Sequence, residues 1–120
     1  MNKTRATNPE LLALTRFLRK QGKENKARIW QDIAERLTKP ERKRTAVNLS
    51  RINRHTKKNE TVAVPGKLLG SGGIDHPITV AAFAISEKAK EKISAANGKC
   101  VSFSDLIKKN PKGSEVRIIG

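Results

Sequence analysis

The excess of positive charge most restricts what this chain can fold into. Twenty-six Lys and Arg face 11 Asp and Glu, a formal charge of +15 on 120 residues, with a pI near 10.6. Self-repulsion on that scale opposes compaction, and 11 acids cannot pair 26 bases, so a polyanion is needed to neutralise the surplus. Nucleic acid is the partner class this favours. Against the repulsion stand 28 Leu, Ile, Val and Phe, about 23% of the chain. That lies just above the roughly 20% below which strong net charge accompanies disorder. A small core is expected, with stability that rises when a partner binds.

Other classes recede on simple grounds. No run of about 18 apolar residues occurs, and Asn2-Lys3-Thr4-Arg5 leads into polar residues, so neither a membrane span nor an export leader is expected. A single cysteine, Cys100, suits a reducing, cytoplasmic setting. With no Tyr, one Trp and three Phe, the chain lacks the aromatic platforms of single-strand binders, so phosphate contact and shape must dominate nucleic-acid binding.

The periodicity predicts an N-terminal helical hairpin over 1–40, tail included, followed by a small α/β unit over 41–120, the two making one unit. Asn8 can cap and Pro9 can open a helix whose stripe is Leu11, Leu14, Phe17 and Leu18, with Gly22 as its stop. A second helix from Asn25 to Leu37 carries Ile29, Ile33 and Leu37 beside Trp30 and Ala34, and Lys39-Pro40 ends it. Beyond Pro40 the pattern shortens. A helical turn capped by Ser50 is expected, then a strand Thr61–Val64, a turn at Pro65-Gly66, a strand Lys67–Leu69 and a strand Ile78–Phe83. Ser86 should cap a helix ending at Asn97-Gly98. Lys99–Val101 reads as a strand, Ser102 and Asp105 as a capping box for a helix Phe103–Lys109, and Glu115–Ile119 as a last strand.

The basic residues concentrate between Arg42 and Lys58. Arg42, Lys43, Arg44, Arg51, Arg54, Lys57 and Lys58, with His55, form a candidate phosphate clamp, since Arg offers a planar fork for two oxygens and Lys a point charge. Gly70-Ser71-Gly72-Gly73 lacks the Lys-Ser or Lys-Thr, the following helix and the distant acid of a nucleotide loop, and reads as a glycine hinge between strands or a close backbone approach to RNA. His55, His76 and Cys100 do not form the short paired spacings of a metal site. Cys100 reads as a small buried hydrophobe, and Asp32 with Glu35 as a solvated helix face. No catalytic residue, cofactor, metal or small-molecule substrate is expected. A helix-turn-helix or histone-like DNA-binding protein remains the alternative, although no third helix with base-reading residues follows the hairpin.

Four ordered segments carry a family resemblance: Val47-Asn48-Leu49-Ser50-Arg51-Ile52-Asn53-Arg54-His55-Thr56, Val62-Ala63-Val64-Pro65-Gly66-Lys67-Leu68-Leu69-Gly70, Thr79-Val80-Ala81-Ala82-Phe83, and Asn110-Pro111-Lys112-Gly113-Ser114-Glu115-Val116-Arg117-Ile118. Together with the opening Asn8-Pro9-x-Leu11, they resemble the "eighteen-e" family of large-subunit ribosomal proteins of archaea, with its eukaryotic counterpart. The resemblance implies a non-enzymatic ribosomal component that binds large-subunit ribosomal RNA beside neighbouring ribosomal proteins. It also implies a C-terminal fold of irregular β-β-α turns shared with the bacterial-type "fifteen" protein. On that resemblance Arg51 and Arg54 match basic positions of the first motif, and Lys67 and Gly70 match positions after the Pro-Gly pair.

Overall fold

The computed structural model describes residues 9–39 and 45–120; the expected cap Asn8 and the cations Arg42, Lys43 and Arg44 lie outside the described residues. Helix α1 (Pro9–Glu24) opens on the proline, whose fixed φ suits a first turn. It does not stop at Gly22. Lys26, with φ of 52°, makes the turn instead, and α2 (Arg28–Leu37) begins three residues later than Asn25. Gly22 is buried where the two helices meet: a Cβ there would lie 2.6 Å from Gln31 Cγ and 3.1 Å from the Ala27 carbonyl oxygen. Close approach of the helices, not termination, accounts for this glycine.

Beyond the hairpin come β1 (Thr45–Asn48), α3 (Leu49–His55), β2 (Thr61–Leu69), β3 (Thr79–Ile85), α4 (Glu87–Ala95), β4 (Lys99–Val101), α5 (Phe103–Lys109) and β5 (Val116–Ile118). This is an α/β fold whose sheet runs β1-β2-β3-β4, every pair parallel, with β5 also on β2. The expected turn at Pro65-Gly66 does not form. The chain continues through it as one nine-residue strand, and the pairing with β3 shifts register between Val64 and Lys67. Proline has no N–H to give a ladder, so it is tolerated at such a bulge. On the other edge of β2 the partner changes at the same place: β5 pairs Thr61–Ala63 and β1 pairs Gly66–Leu69. Pro65 falls in the gap between them.

Parallel pairing of β2 and β3 forces the connection at 70–78 to travel back along the strand. Eight steps of about 3.3 Å make roughly 26 Å, and nine connecting residues reach only about 30 Å when extended. The loop therefore has no slack for a helix.

Helices cover both faces. Leu18, Trp30, Ile33 and Leu37 of the hairpin pack with Phe103, Leu106 and Ile107 of α5 over the small Ala63 and Ala81. The opposite face joins Val62, Val64, Leu68 and Val80 to Leu49 and Ile52 of α3 and Ala89 and Ile93 of α4. The Trp30 indole N–H donates to the Pro111 carbonyl at 2.7 Å, and Lys112 Nζ donates to the Asn25 carbonyl at 2.8 Å, so the α5–β5 loop is tied to the hairpin. Caps follow the sequence where they were most explicit: Ser86 Oγ accepts from the Ala89 N–H, and Ser102 Oγ from the Asp105 N–H. Ser50 is not a cap. It lies inside α3, whose N-cap position is Asn48.

Cys100 departs from its expected burial. Among the described residues β4 pairs only with β3, and at that sheet margin Lys99 and Cys100 are exposed. Partial burial still pushes the Cys100 thiol above its ordinary value of 9.0, and Lys90 opposes this only weakly.

Two outcomes follow from this packing. Leu18 is 0% exposed and Leu12 is 42% exposed on the same helix. Leu18→Ala should cost about 2 to 5 kcal/mol in thermal or urea denaturation, whereas Leu12→Ala should stay within about 0.5 kcal/mol. Alkylation of Cys100 by iodoacetamide should be slow at neutral pH despite its exposure and should accelerate as pH rises past 9.0, because the thiolate is the nucleophile.

Candidate nucleic-acid interface

Leu49 and Ile52, three apart, sink α3 into the core, and the same spacing puts Arg51, Arg54 and His55 on its exposed side. Lys57 and Lys58 follow immediately and are also exposed. Among the described residues the ion pairs are Arg28–Asp32, Lys90–Glu87, Arg117–Glu60 and the His76–Asp75 contact, and none uses Arg51, Arg54, Lys57 or Lys58. Four cations and an imidazole thus share one short segment in which no side-chain ion pair forms among the described residues, although the Glu60 carboxylate lies near enough to Lys57 to feel its charge.

That segment is bolted down by the extended loop. The Ser50 N–H donates to the Ser71 carbonyl at 3.2 Å, and the Asp75 N–H donates to Asn53 Oδ1 at 3.1 Å. The Thr56 hydroxyl donates to the Ile52 carbonyl at 2.7 Å, and its oxygen lies 2.8 Å from His76 Nε2. On the far side of the ring, His76 Nδ1 donates to Asp75 Oδ1 at 2.8 Å. This hydrogen bond is the main reason the Asp75 carboxyl is held below its ordinary range. The far end of the loop is held by Lys92, whose ammonium donates to the carbonyls of Gly70 and Gly72. None of Asn53, Thr56, Asp75 or His76 was legible as a positioning residue, because the two bonds that tie the loop to α3, Asp75 to Asn53 and His76 to Thr56, join residues about twenty positions apart.

After α3 the chain is held by Glu60. Its carboxylate accepts the Lys57 N–H at 2.6 Å and faces Arg117 at 3.4 Å, and the first of these is the main cause of a carboxyl pKa below the ordinary 4.5. Asn59 turns the chain with φ of 67° and donates its N–H to the Pro77 carbonyl at 2.7 Å.

The remaining sequence candidates lie apart. Lys67 is exposed on β2, but it alternates with Leu68, which packs on the α3 side, so it points from the opposite face of the sheet. Gly70 is buried, and its missing side chain makes room for α4: a Cβ would lie 2.8 Å from Lys88 Cβ and 2.9 Å from the Ala89 nitrogen. Arg42, Lys43 and Arg44, just ahead of β1, lie outside the described residues. Among the described residues no three His, Cys, Asp or Glu cluster to hold a metal, and no helix is long and apolar enough to cross a membrane.

The stability Glu60 contributes should be fully present above its ordinary carboxyl range and lost as pH falls through its lower folded value. Glu60→Gln should therefore be less stable than the native chain at neutral pH and show a shallower decline on acidification, as read from urea midpoints at stepped pH.

Comparison with known proteins finds close similarity over nearly the whole chain. The family described as "Ribosomal protein 60S L18 and 50S L18e" matches residues 1–120. The large ribosomal subunit protein eL18 of Methanothermobacter thermautotrophicus is 45% identical over 119 residues, covering 99% of this chain and 98% of that one. Its counterpart in Archaeoglobus fulgidus is 48% identical over 115 residues, covering 96% and 98%. In Methanoregula boonei the corresponding protein is 50% identical over 113 residues, covering 94% and 93%. With a family match over the whole chain and relatives at this identity over nearly their full length, the chain belongs to the L18/L18e family of large-subunit ribosomal proteins.

Proposed function

We propose that the chain is a structural, non-enzymatic constituent of the large ribosomal subunit in the cytoplasm, binding ribosomal RNA and lying beside other ribosomal proteins. The observation that carries the reading is the run Arg51, Arg54, His55, Lys57 and Lys58, exposed, in no side-chain ion pair among the described residues and fixed from behind by the 70–78 loop. Phosphates packed closely in folded RNA repel one another. A rigid cationic edge placed among them offsets that repulsion and sets their spacing. Arg42, Lys43 and Arg44 extend the same clamp along the chain. Lys67 supplies a phosphate contact on the other face of the sheet, and Gly70 carries the backbone that holds the loop against α4.

The hairpin of 1–40 and the α/β part of 41–120 act here as one body. Membership in a ribosomal family and the family-wide match support this over the DNA-binding alternative. Sedimentation of the tagged chain in cell extract tests the choice: co-migration with large subunits is expected, and a chromosomal fraction would overturn it.

Two binding outcomes are expected. If roughly 6 to 10 phosphates are neutralised, affinity for large-subunit RNA should fall by about three to five decades between about 50 and 200 mM salt. Arg51→Ala/Arg54→Ala should weaken binding about tenfold more than Lys57→Ala/Lys58→Ala, although each pair removes two charges and should shift the salt slope alike. The difference arises because guanidinium forks on a packed helix lose less freedom on binding than lysines on a turn. A side-by-side filter-binding titration reads both, and equal losses would show that only net charge matters.

A further inference from the structure

A cavity of about 260 Å³ opens between α1 and the segment running from α5 into the next loop. Phe17, Ile107 and Pro111 supply apolar walls, while Gln21, Asn25, Ser104 and Lys108 supply the polar lining. Pockets for drug-sized ligands run from roughly 300 to 1,000 Å³, so this one has room for a single flat group. Its walls are set: Phe17 and Ile107 pack on the core, Pro111 is held by the Trp30 indole, and the Asn25 carbonyl is held by Lys112.

The two amides define what the group must display. Asn25 Nδ2 donates to Gln21 Oε1 at 3.1 Å, which leaves the Gln21 NH₂ as donor and the Asn25 oxygen as acceptor. Turning both amides over reverses that bond and still leaves one donor and one acceptor. The complementary edge is an acceptor next to an N–H. Every RNA base shows such a pair on its Watson–Crick edge, but adenine alone repeats it on the Hoogsteen edge, N7 with N6, where guanine has two acceptors. Adenine is therefore the base that fits whichever edge enters. Unpaired RNA bases are recognised in this way, splayed out, laid on an aromatic or apolar surface and hydrogen-bonded along an edge.

We propose that this cavity receives one unpaired adenine of the ribosomal RNA, its edge read by Gln21 and Asn25 and its flanking phosphate met by Lys108. The inference rests on the RNA-binding reading above and extends it to the opposite face of the sheet from α3, so that the protein holds RNA on both sides.

The test uses the full chain with large-subunit ribosomal RNA as probe, mapped by dimethyl sulfate at adenine N1 and diethyl pyrocarbonate at N7. The native chain is expected to protect an unpaired adenine that becomes reactive again with Gln21→Ala or Asn25→Ala. The affinity should drop by about 5- to 100-fold, the worth of a good bidentate contact, and the salt slope should be unchanged. Gln21→Glu, equal in size but without the donors, should behave like Gln21→Ala while melting like the native chain, which separates recognition from folding. Native protections that persist in all three variants, under normal salt-dependent binding, would overturn the pocket and leave the RNA reading standing. Loss of a neighbouring ribosomal protein from reconstituted subunits, with every RNA protection intact, would also overturn it and assign the cavity to protein contact. Failure of the native chain to bind RNA at all would overturn both readings.

Discussion

Burial of β2 on both faces and pairing along both edges is the constraint from which the rest of the molecule follows. Val62, Val64 and Leu68 face α3 and α4, Ala63 faces the hairpin and α5, and β1, β3 and β5 take the hydrogen-bonding edges. A strand enclosed in this way reads as a nearly continuous apolar run, as the parallel strands of α/β proteins do. Because a chain this basic has little apolar surface to spend, concentrating it around one strand lets the two helical layers share a single sheet as their common floor. Apart from Lys67, Lys99 and Arg117 at exposed strand positions, the described charged residues are then left to the outer faces of the helices and to the loops.

The rigidity of the cationic edge has a similar origin. α3 is only seven residues long and would not hold its shape alone. Three contacts from the 70–78 loop hold it, and the loop in turn has almost no freedom because it must retrace β2 within nine residues. Arg51 and Arg54 therefore project from a surface whose position is determined by sheet topology. Phosphate recognition of this kind rewards a fixed spacing more than a large number of charges.

Much of this was legible in the residues, for identifiable reasons. Local chemistry reported itself well: Pro9 at a helix start, Ser86 and Ser102 as caps, Asn97-Gly98 as a stop, and the stripes of α1 and α2. Residues whose role depends on a distant neighbour were misread. Gly22 marks the approach of α2, Pro65-Gly66 lies in a bulge between two edge partners, and Cys100 is exposed because, among the described residues, no strand lies beyond β4. The clamp on α3 was legible as a charge cluster. The bonds of Asn53, Thr56 and His76 that orient it were not, since nothing local distinguishes them from ordinary surface polar residues.

The placement of β5 bears on how the protein comes into being. Val116 pairs with Thr61, and the Ile119 N–H donates to the Ala63 carbonyl at 3.1 Å, so the central strand receives one of its edge partners only some fifty-five residues after it is itself made. During synthesis the N-terminal half of β2 leaves the exit tunnel with that edge unpaired and its backbone groups open to other strands. At about 5 to 20 residues per second, the interval lasts roughly 3 to 11 seconds. An aggregation-prone window is thereby built into the order of the chain. The crowding of positive charge that hinders compaction in the finished molecule is, over those seconds, a safeguard that keeps nascent copies apart.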